Sequence, residues 1–321
     1  MILKKNVFNE NFIKLMKNNL NKSSIDNNLD VFTELNLSPY LYQYSKKNNL
    51  FISDKLENIY KKNVISNIII LDYKIFLEEE LKKLNIKHLF YKGTYLIENI
   101  YNSIGDRYLG DIDLLVDNND LDKLKKVFKN DINKIDELIS QKDTHESYLL
   151  IKHKNQTINI DIHKSFFPQN KYPINIDIFF QKDRVEHHII TLIIEISSEF
   201  FIDDKRFLDL ILIIEKKNID WQYLYSTLKK FRLKRASYVI FKLINENFNK
   251  NYPIITINNF EKLFMRKIIS FNNKRWNQFF LFFYIFDNLD DYGSFFKKRL
   301  MKSYNEKSIY KELKKFWIKY R

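Results

Sequence analysis

The stretch FYKGTYLIENIYNSIGDRYLGDIDLLV, residues 90–116, decides both the fold and the chemistry. In its last six residues acidic and apolar side chains alternate, so a strand places Asp111 and Asp113 on one face and Ile112, Leu114 and Val116 on the other. Carboxylates at alternate strand positions stand about 6.5 Å apart. They repel each other unless a hard divalent cation sits between them. Upstream, the apolar run Leu89, Phe90, Tyr91 ends at Lys92-Gly93-Thr94, and the pattern beyond is helical. Gly93 and Thr94 then open a helix whose amides, with the Thr94 hydroxyl, are available to a phosphate. The plainer reading of Gly93 is a tight strand-to-helix turn. Against it stands the clustering of Gly93, Gly105 and Gly110, three of the chain's four glycines, where backbone must take positive φ or approach something closely.

A third acid comes from TINIDIH, residues 157–163, where Ile158, Ile160 and Ile162 share one face and Asn159, Asp161 and His163 the other. A strand here lying beside the Asp113 strand brings three carboxylates over a pair of metals, the arrangement that clamps the attacking and leaving oxygens in phosphoryl displacement. Asp161 is then placed to take the acceptor's proton. His163 either binds the acceptor or orders Asp161, and a lone strand His also serves as a structural hydrogen-bonder. Arg107, the only Arg before Arg184, reaches a triphosphate or locks its loop to a carboxylate; the triphosphate is the reading favoured by sequence.

Outward from these motifs the chain divides in three. Residues 1–62 hold short apolar groups punctuated by Asn, Ser and Pro39, which predicts a few short helices. From Val64 to Leu84, Ile65, Ile68, Ile69, Phe76, Leu77, Leu81 and Leu84 recur near helical spacing, which predicts one long amphipathic helix with that face inward. KHLFYKG, DIDLLV, HESYLLIKH and TINIDIH then read as strands of a small mixed sheet within a core spanning 63–195. Residues 196–321 read as a helical C-terminal domain, and no internal repeat is present. The expected class is α+β.

Composition sets the outer bounds. With no Cys among 321 residues there is no disulfide, thiolate metal site, iron–sulfur cluster or cysteine nucleophile. No run approaches the ~18 apolar residues of a membrane span, and the N-terminus lacks the pattern of a signal peptide. The expectation is a soluble cytoplasmic protein with no membrane partner. The net charge of +14 suggests a polyanionic partner such as RNA, yet Arg is scarce at nine residues and a single Ala stands in a chain rich in Lys, Asn, Ile, Phe and Tyr. Such a composition is basic without any functional demand.

Residues 90–116, followed by HESYLLIKHKNQTINIDIH at 145–163, resemble the uncharacterised nucleotidyltransferases of the DNA polymerase beta superfamily. That family reads Lys-Gly, then an Arg shortly before Asp-Ile-Asp-Leu-Leu-Val, then Ile-Asp-Leu-His. Lys92-Gly93, Arg107, Asp111 to Val116 and Ile160 to His163 stand at those places, with Ile162 the one departure. Asp209 and Asp220-Trp221 are similar to an acid and an Asp-Trp pair in the family's helical tail, so the resemblance spans about 65 to 245. The resemblance implies a metal-dependent nucleotidyltransferase that moves an NMP from an NTP to an acceptor hydroxyl and releases pyrophosphate. It implies Mg²⁺ or Mn²⁺ on Asp111, Asp113 and Asp161, the nucleotide on Lys92, Gly93, Thr94 and Arg107, and the acceptor near His163. The acceptor is a small molecule, a peptide or protein, or an RNA. Two alternatives stay open: a D-x-D glycosyltransferase, and a non-catalytic nucleic-acid or partner-binding module suggested by the basic aromatic segment from Lys297 through Tyr304 to Trp317 and Arg321.

Overall fold

A computed structural model gives the structure of the chain and describes residues 8–20, 25, 27–140, 146–166, 175–181, 184–198, 203–259 and 261–262. The Phe279–Phe286 run and the basic aromatic segment from Lys297 onward lie outside the described residues. The architecture is α+β, as the sequence predicts. Among the described residues the chain opens with short helices, α1 (Glu10–Met16), α2 (Leu29–Glu34) and α3 (Ser38–Lys47), followed by the long α4 (Asp54–Lys83). Then come β1 (His88–Tyr91), α5 (Gly93–Asn99), β2 (Asp111–Val116), α6 (Ile132–Ser140) and the hairpin of β3 (Glu146–His153) and β4 (Gln156–His163). The C-terminal part is built mainly from the helices α7 (Val185–Ser198), α8 (Asp204–Lys216), α9 (Trp221–Lys230) and α10 (Lys234–Phe248). Among the described residues no helix is long and apolar enough to cross a membrane.

The four strands lie in the order β1-β2-β4-β3. β2 and β4 are parallel, in a register that sets Asp113 opposite Asp161, and both outer pairings are antiparallel. The β3–β4 turn is Lys154-Asn155, both at positive φ (44° and 65°), the backbone a tight two-residue hairpin demands. One face of the sheet is apolar: Ile112, Leu114, Val116, Ile158, Ile160 and Ile162 pack with Leu77 and Leu81 of α4 and with Ile135 and Leu138 of α6. The other face carries the acids. Its apolar members Tyr91 and Leu115 join the larger core formed by α7 to α10, so the carboxylates sit where the sheet meets the C-terminal helices.

Helix α4 departs from expectation in two respects. It starts at Asp54 rather than Val64, because Ser53 caps it with a hydroxyl that accepts from the Leu56 amide. Its face is also rotated: Ile65, Ile68 and Phe76 are exposed, whereas Asn63 and Asn67 are buried. The two amides donate to the carbonyls of Ile104, Gly105 and Arg107, a loop that otherwise leaves buried carbonyls unpaired. Gly105 allows this approach, since a Cβ there would lie 2.5 Å from both Tyr60 Cζ and Val64 Cγ2. The Tyr60 hydroxyl is held by Gln43 and Ser103, so the ring has little freedom to give way. Gly105→Ala is accordingly expected to cost about 1–3 kcal/mol by overpacking, read as a lower urea midpoint at unchanged slope. A midpoint equal to that of the unsubstituted protein would show that the α4 contact yields freely.

Candidate active site

The acidic face is built from neighbouring strands. Asp111 and Asp113 point the same way from β2, Asp161 stands opposite Asp113 on β4, and Asn159 stands opposite Asp111. Asn159 donates its side-chain amide to Asp161 Oδ1 at 2.7 Å. Donor atoms of Asp113, Asp161 and His163 all lie within 4.8 Å of one another, a grouping that could hold a metal ion. Asp111 is outside that group but acts on it through its charge. His163 is buried; its Nε2 lies 3.4 Å from Asp113 Oδ1 without an aligned hydrogen bond, and its Nδ1 lies 3.7 Å from Glu146 Oε2. The imidazole therefore adjoins Asp113 more closely than the sequence reading, which tied it to Asp161, suggests.

Electrostatics divide the carboxylates. Burial acts to raise the Asp113 carboxyl, but Lys92 and His163 outweigh it and hold it down at about 2. At Asp161 the balance reverses: burial, then the charges of Asp113 and Asp111, outweigh the pull of Lys92 and push it up to about 7. Asp111 is raised too, by burial and by Asp113. A group protonated more readily in the folded than in the unfolded chain stabilises at low pH and loses that contribution as pH rises through its folded value. In metal-free buffer the Asp161 contribution is thus present below about 4 and lost between about 4 and 7. Asp113 acts in the opposite sense, with its contribution lost only as pH falls from about 4 toward 2. Melting temperature is expected to fall from pH 5 to pH 7.5 and to fall less in Asp161→Asn; equal slopes in the two proteins would refute the assignment.

Lys92 occupies the turn between β1 and α5. Its ammonium lies 2.7 Å from Asp113 Oδ1 and 2.7 Å from Glu195 Oε1. Its backbone is at φ 54°, ψ −122°, costly for any residue with a Cβ, and none of the described glycines takes positive φ. Gly93 is needed instead for close approach: a Cβ would meet Leu109 Cδ1 at 2.5 Å and Arg107 Nη1 at 2.8 Å. Thr94 is fully buried, with its hydroxyl donating to the Tyr91 carbonyl at 3.2 Å. Arg107 has taken the locking role. Its Nε and Nη2 grip both oxygens of Asp209 at 2.9 Å and Nη1 donates to the Tyr108 carbonyl, so the guanidinium joins the glycine turn to α8. Asp220 caps α9 by accepting from the Tyr223 amide. The Asp209 and Asp-Trp positions of the helical tail thus have structural work to do.

Sequence reasoning passed over Glu195, which bridges Lys92 to Arg206 Nε at 2.8 Å. A signal existed: within the apolar run from Ile189 to Ser198 it is the sole charge. It also passed over Glu146, which faces His163 and accepts from the Tyr148 hydroxyl.

A glycine turn entering a helix, a D-x-D strand and a third acid on the parallel neighbouring strand together define a nucleotidyltransferase-type core. The chain belongs to the uncharacterised nucleotidyltransferase family, whose model matches residues 21–249. That match begins well before the motifs at 90–163 and takes in α2 and α3, whose Leu29, Phe32 and Leu41 are built into the main core. Neither a curated protein nor a solved structure matches the chain.

Proposed function

We propose that the chain transfers an NMP from an NTP to an acceptor hydroxyl with release of pyrophosphate, assisted by divalent cations held at Asp111, Asp113 and Asp161. The observation that carries this reading is the parallel β2–β4 register, which sets Asp113 opposite Asp161 with Asp111 on the same face. The residues suit a cation. Two buried or half-buried carboxylates and an imidazole nitrogen lacking an aligned partner converge, and one carboxyl is raised to about 7 by burial and by the neighbouring carboxylates. Carboxylate oxygens suit Mg²⁺, and the imidazole makes Mn²⁺ an equally good fit. When bound, the metal would supply charge stabilisation at the reacting phosphate and a lowered pKa for the acceptor hydroxyl.

The protein's own groups do the rest. Asp161, opposite Asp113 on the neighbouring strand, is the carboxylate placed to take the acceptor's proton. Lys92 keeps Asp113 ionised and, through Glu195, ties the site to α7. Gly93 opens α5 toward the same region, and Arg107 fixes that turn against α8. Residues 63–195 form the catalytic core in this reading, the helices beyond it forming one wall. His163 and the exposed Tyr148, which lies opposite Asp161 on β3, border the side from which an acceptor approaches.

The decisive experiment incubates the protein with each of the four NTPs, labelled in the α-phosphate, with Mg²⁺ or Mn²⁺ and an extract of its native cell. Labelled product with stoichiometric pyrophosphate is the expected result, and its size identifies the acceptor as small molecule, protein or RNA. Release of a nucleoside diphosphate, or label transfer that persists without divalent metal, would overturn the reading.

A further inference from the structure

Four cations surround the acidic face: Lys92, Arg107, Lys205 and Arg206. Three are paired with carboxylates. Lys92 is held between Asp113 and Glu195, Arg107 is bidentate on Asp209, and Arg206 binds Glu195 and Asp203 at 2.8 Å each. Lys205 differs. Among the described residues no carboxylate lies within ion-pairing reach of it, and its recorded contact is with the Tyr108 ring, 5.9 Å from its ammonium to the ring centre. It stands in the first turn of α8, one helical turn before Asp209 and on the same side of the helix. The Arg107–Asp209 clamp therefore presses Lys205 toward the Tyr108–Asp111 segment, and its charge is felt by the Asp111 carboxyl.

A half-buried ammonium without a counter-ion is costly, and Arg107 beside it raises the cost further. Burial, then that neighbour, outweigh the more distant charges of Asp209 and Asp203 and lower it to about 8, so near neutral pH it remains largely charged. The positive charge is not consumed by the fold. An anion arriving between the Gly93 turn and Asp111 meets in Lys205 the cation with valence to spare. Lys92 and Arg107, the two cations the sequence offers for this purpose, would have to abandon carboxylates already in contact.

We propose that Lys205, delivered from the C-terminal helices, is the side chain that binds the polyphosphate of the nucleotide. This rests on the nucleotidyl-transfer reading. The general alternative is that the lysine stem merely packs over Tyr108.

Binding separates the two without reliance on turnover. Isothermal titration with Mg²⁺-tripolyphosphate and with each of the four NTPs is expected to show saturable binding to the unsubstituted protein. Lys205→Gln and Lys205→Met weaken it about tenfold to hundredfold, the worth of one charge-assisted contact. Lys205→Arg retains most of the affinity, and Lys83→Gln, on the exposed end of α4, leaves it unchanged. Melting temperatures of Lys205→Gln and Lys205→Met equal to or above that of the unsubstituted protein exclude unfolding as the cause. Affinities of both neutral variants within twofold of the unsubstituted protein would overturn the role of Lys205 while leaving nucleotidyl transfer standing. An unsubstituted protein that binds none of the five ligands would remove both.

Discussion

Asp113→Asn and Asp161→Asn are each expected to reduce nucleotidyl transfer by about 10³-fold or more, since metal-held charge at a phosphoryl centre is worth several kcal/mol and each tenfold in rate is about 1.4 kcal/mol. Both substitutions keep the shape of the side chain and remove its charge, so the effects on folding differ in a useful way. Asp161 is raised to about 7 by its burial and then by the charges of its neighbours Asp113 and Asp111. Neutralising it relieves that repulsion, and the variant should melt at or above the temperature of the unsubstituted protein at pH 7.5. Asp113 is the partner of Lys92, whose ammonium keeps Glu195 when the charge at 113 is gone. Loss of Asp113 therefore weakens a buried contact and should lower the melting temperature. Two inactive variants that move stability in opposite directions cannot share unfolding as their explanation. Turnover within tenfold of the unsubstituted protein in Asp161→Asn, measured as pyrophosphate released per enzyme, would remove that carboxylate from the chemistry.

Much of the acidic face is legible in the sequence because a strand has a strict period of two. DIDLLV and TINIDIH each assign their own faces by alternation, with the isoleucines of the second strand buried as predicted. Which strands become neighbours is a different matter. The β2–β4 pairing joins segments separated by α6 and β3, and local sequence says nothing of it beyond the chemical sense of three acids meeting. Helix α4 shows where periodicity misleads. Ile65, Ile68 and Phe76 lie near helical spacing, yet the buried face is set by Asn63 and Asn67, whose value lies in carbonyls about forty residues away that only the folded chain reveals. α7 hides its period for another reason: it is buried nearly all round although half of its residues are polar, so no apolar stripe marks its inner face. The cations were least legible. Lys92 and Arg107 stand at motif positions, but the partners that occupy them, Glu195 and Asp209, lie about a hundred residues further along the chain.

That distant pairing makes Asp209→Asn the substitution with the largest expected effect on folding. Asp209 is fully buried and accepts from Arg107 Nε and Nη2 and from the Tyr101 hydroxyl, the last at 2.7 Å. An amide of the same shape leaves the guanidinium buried without a counter-ion, a change that costs about 3–5 kcal/mol where it has been measured in buried pairs. Set against a total stability of about 5–15 kcal/mol, this is a large fraction. The cost belongs to the orphaned charge rather than to the pair, because bringing two ions out of water consumes most of what their attraction returns. Arg107→Met with Asp209→Leu should therefore recover most of the loss. Tyr101→Phe must accompany them, since the hydroxyl would otherwise be stranded. The triple variant is expected within about 2 kcal/mol of the unsubstituted protein in urea unfolding, with Asp209→Asn at least about 3 kcal/mol below it. Function should not follow stability in this series. In the triple variant the Gly93 turn loses the guanidinium it packs against, and α8, which carries Lys205, loses its polar tie to the loop before β2. Restored folding with tripolyphosphate binding still weakened would show that the buried pair sets the position of the site; an Asp209→Asn protein destabilised by less than about 1 kcal/mol would show that water or a local shift reaches Arg107.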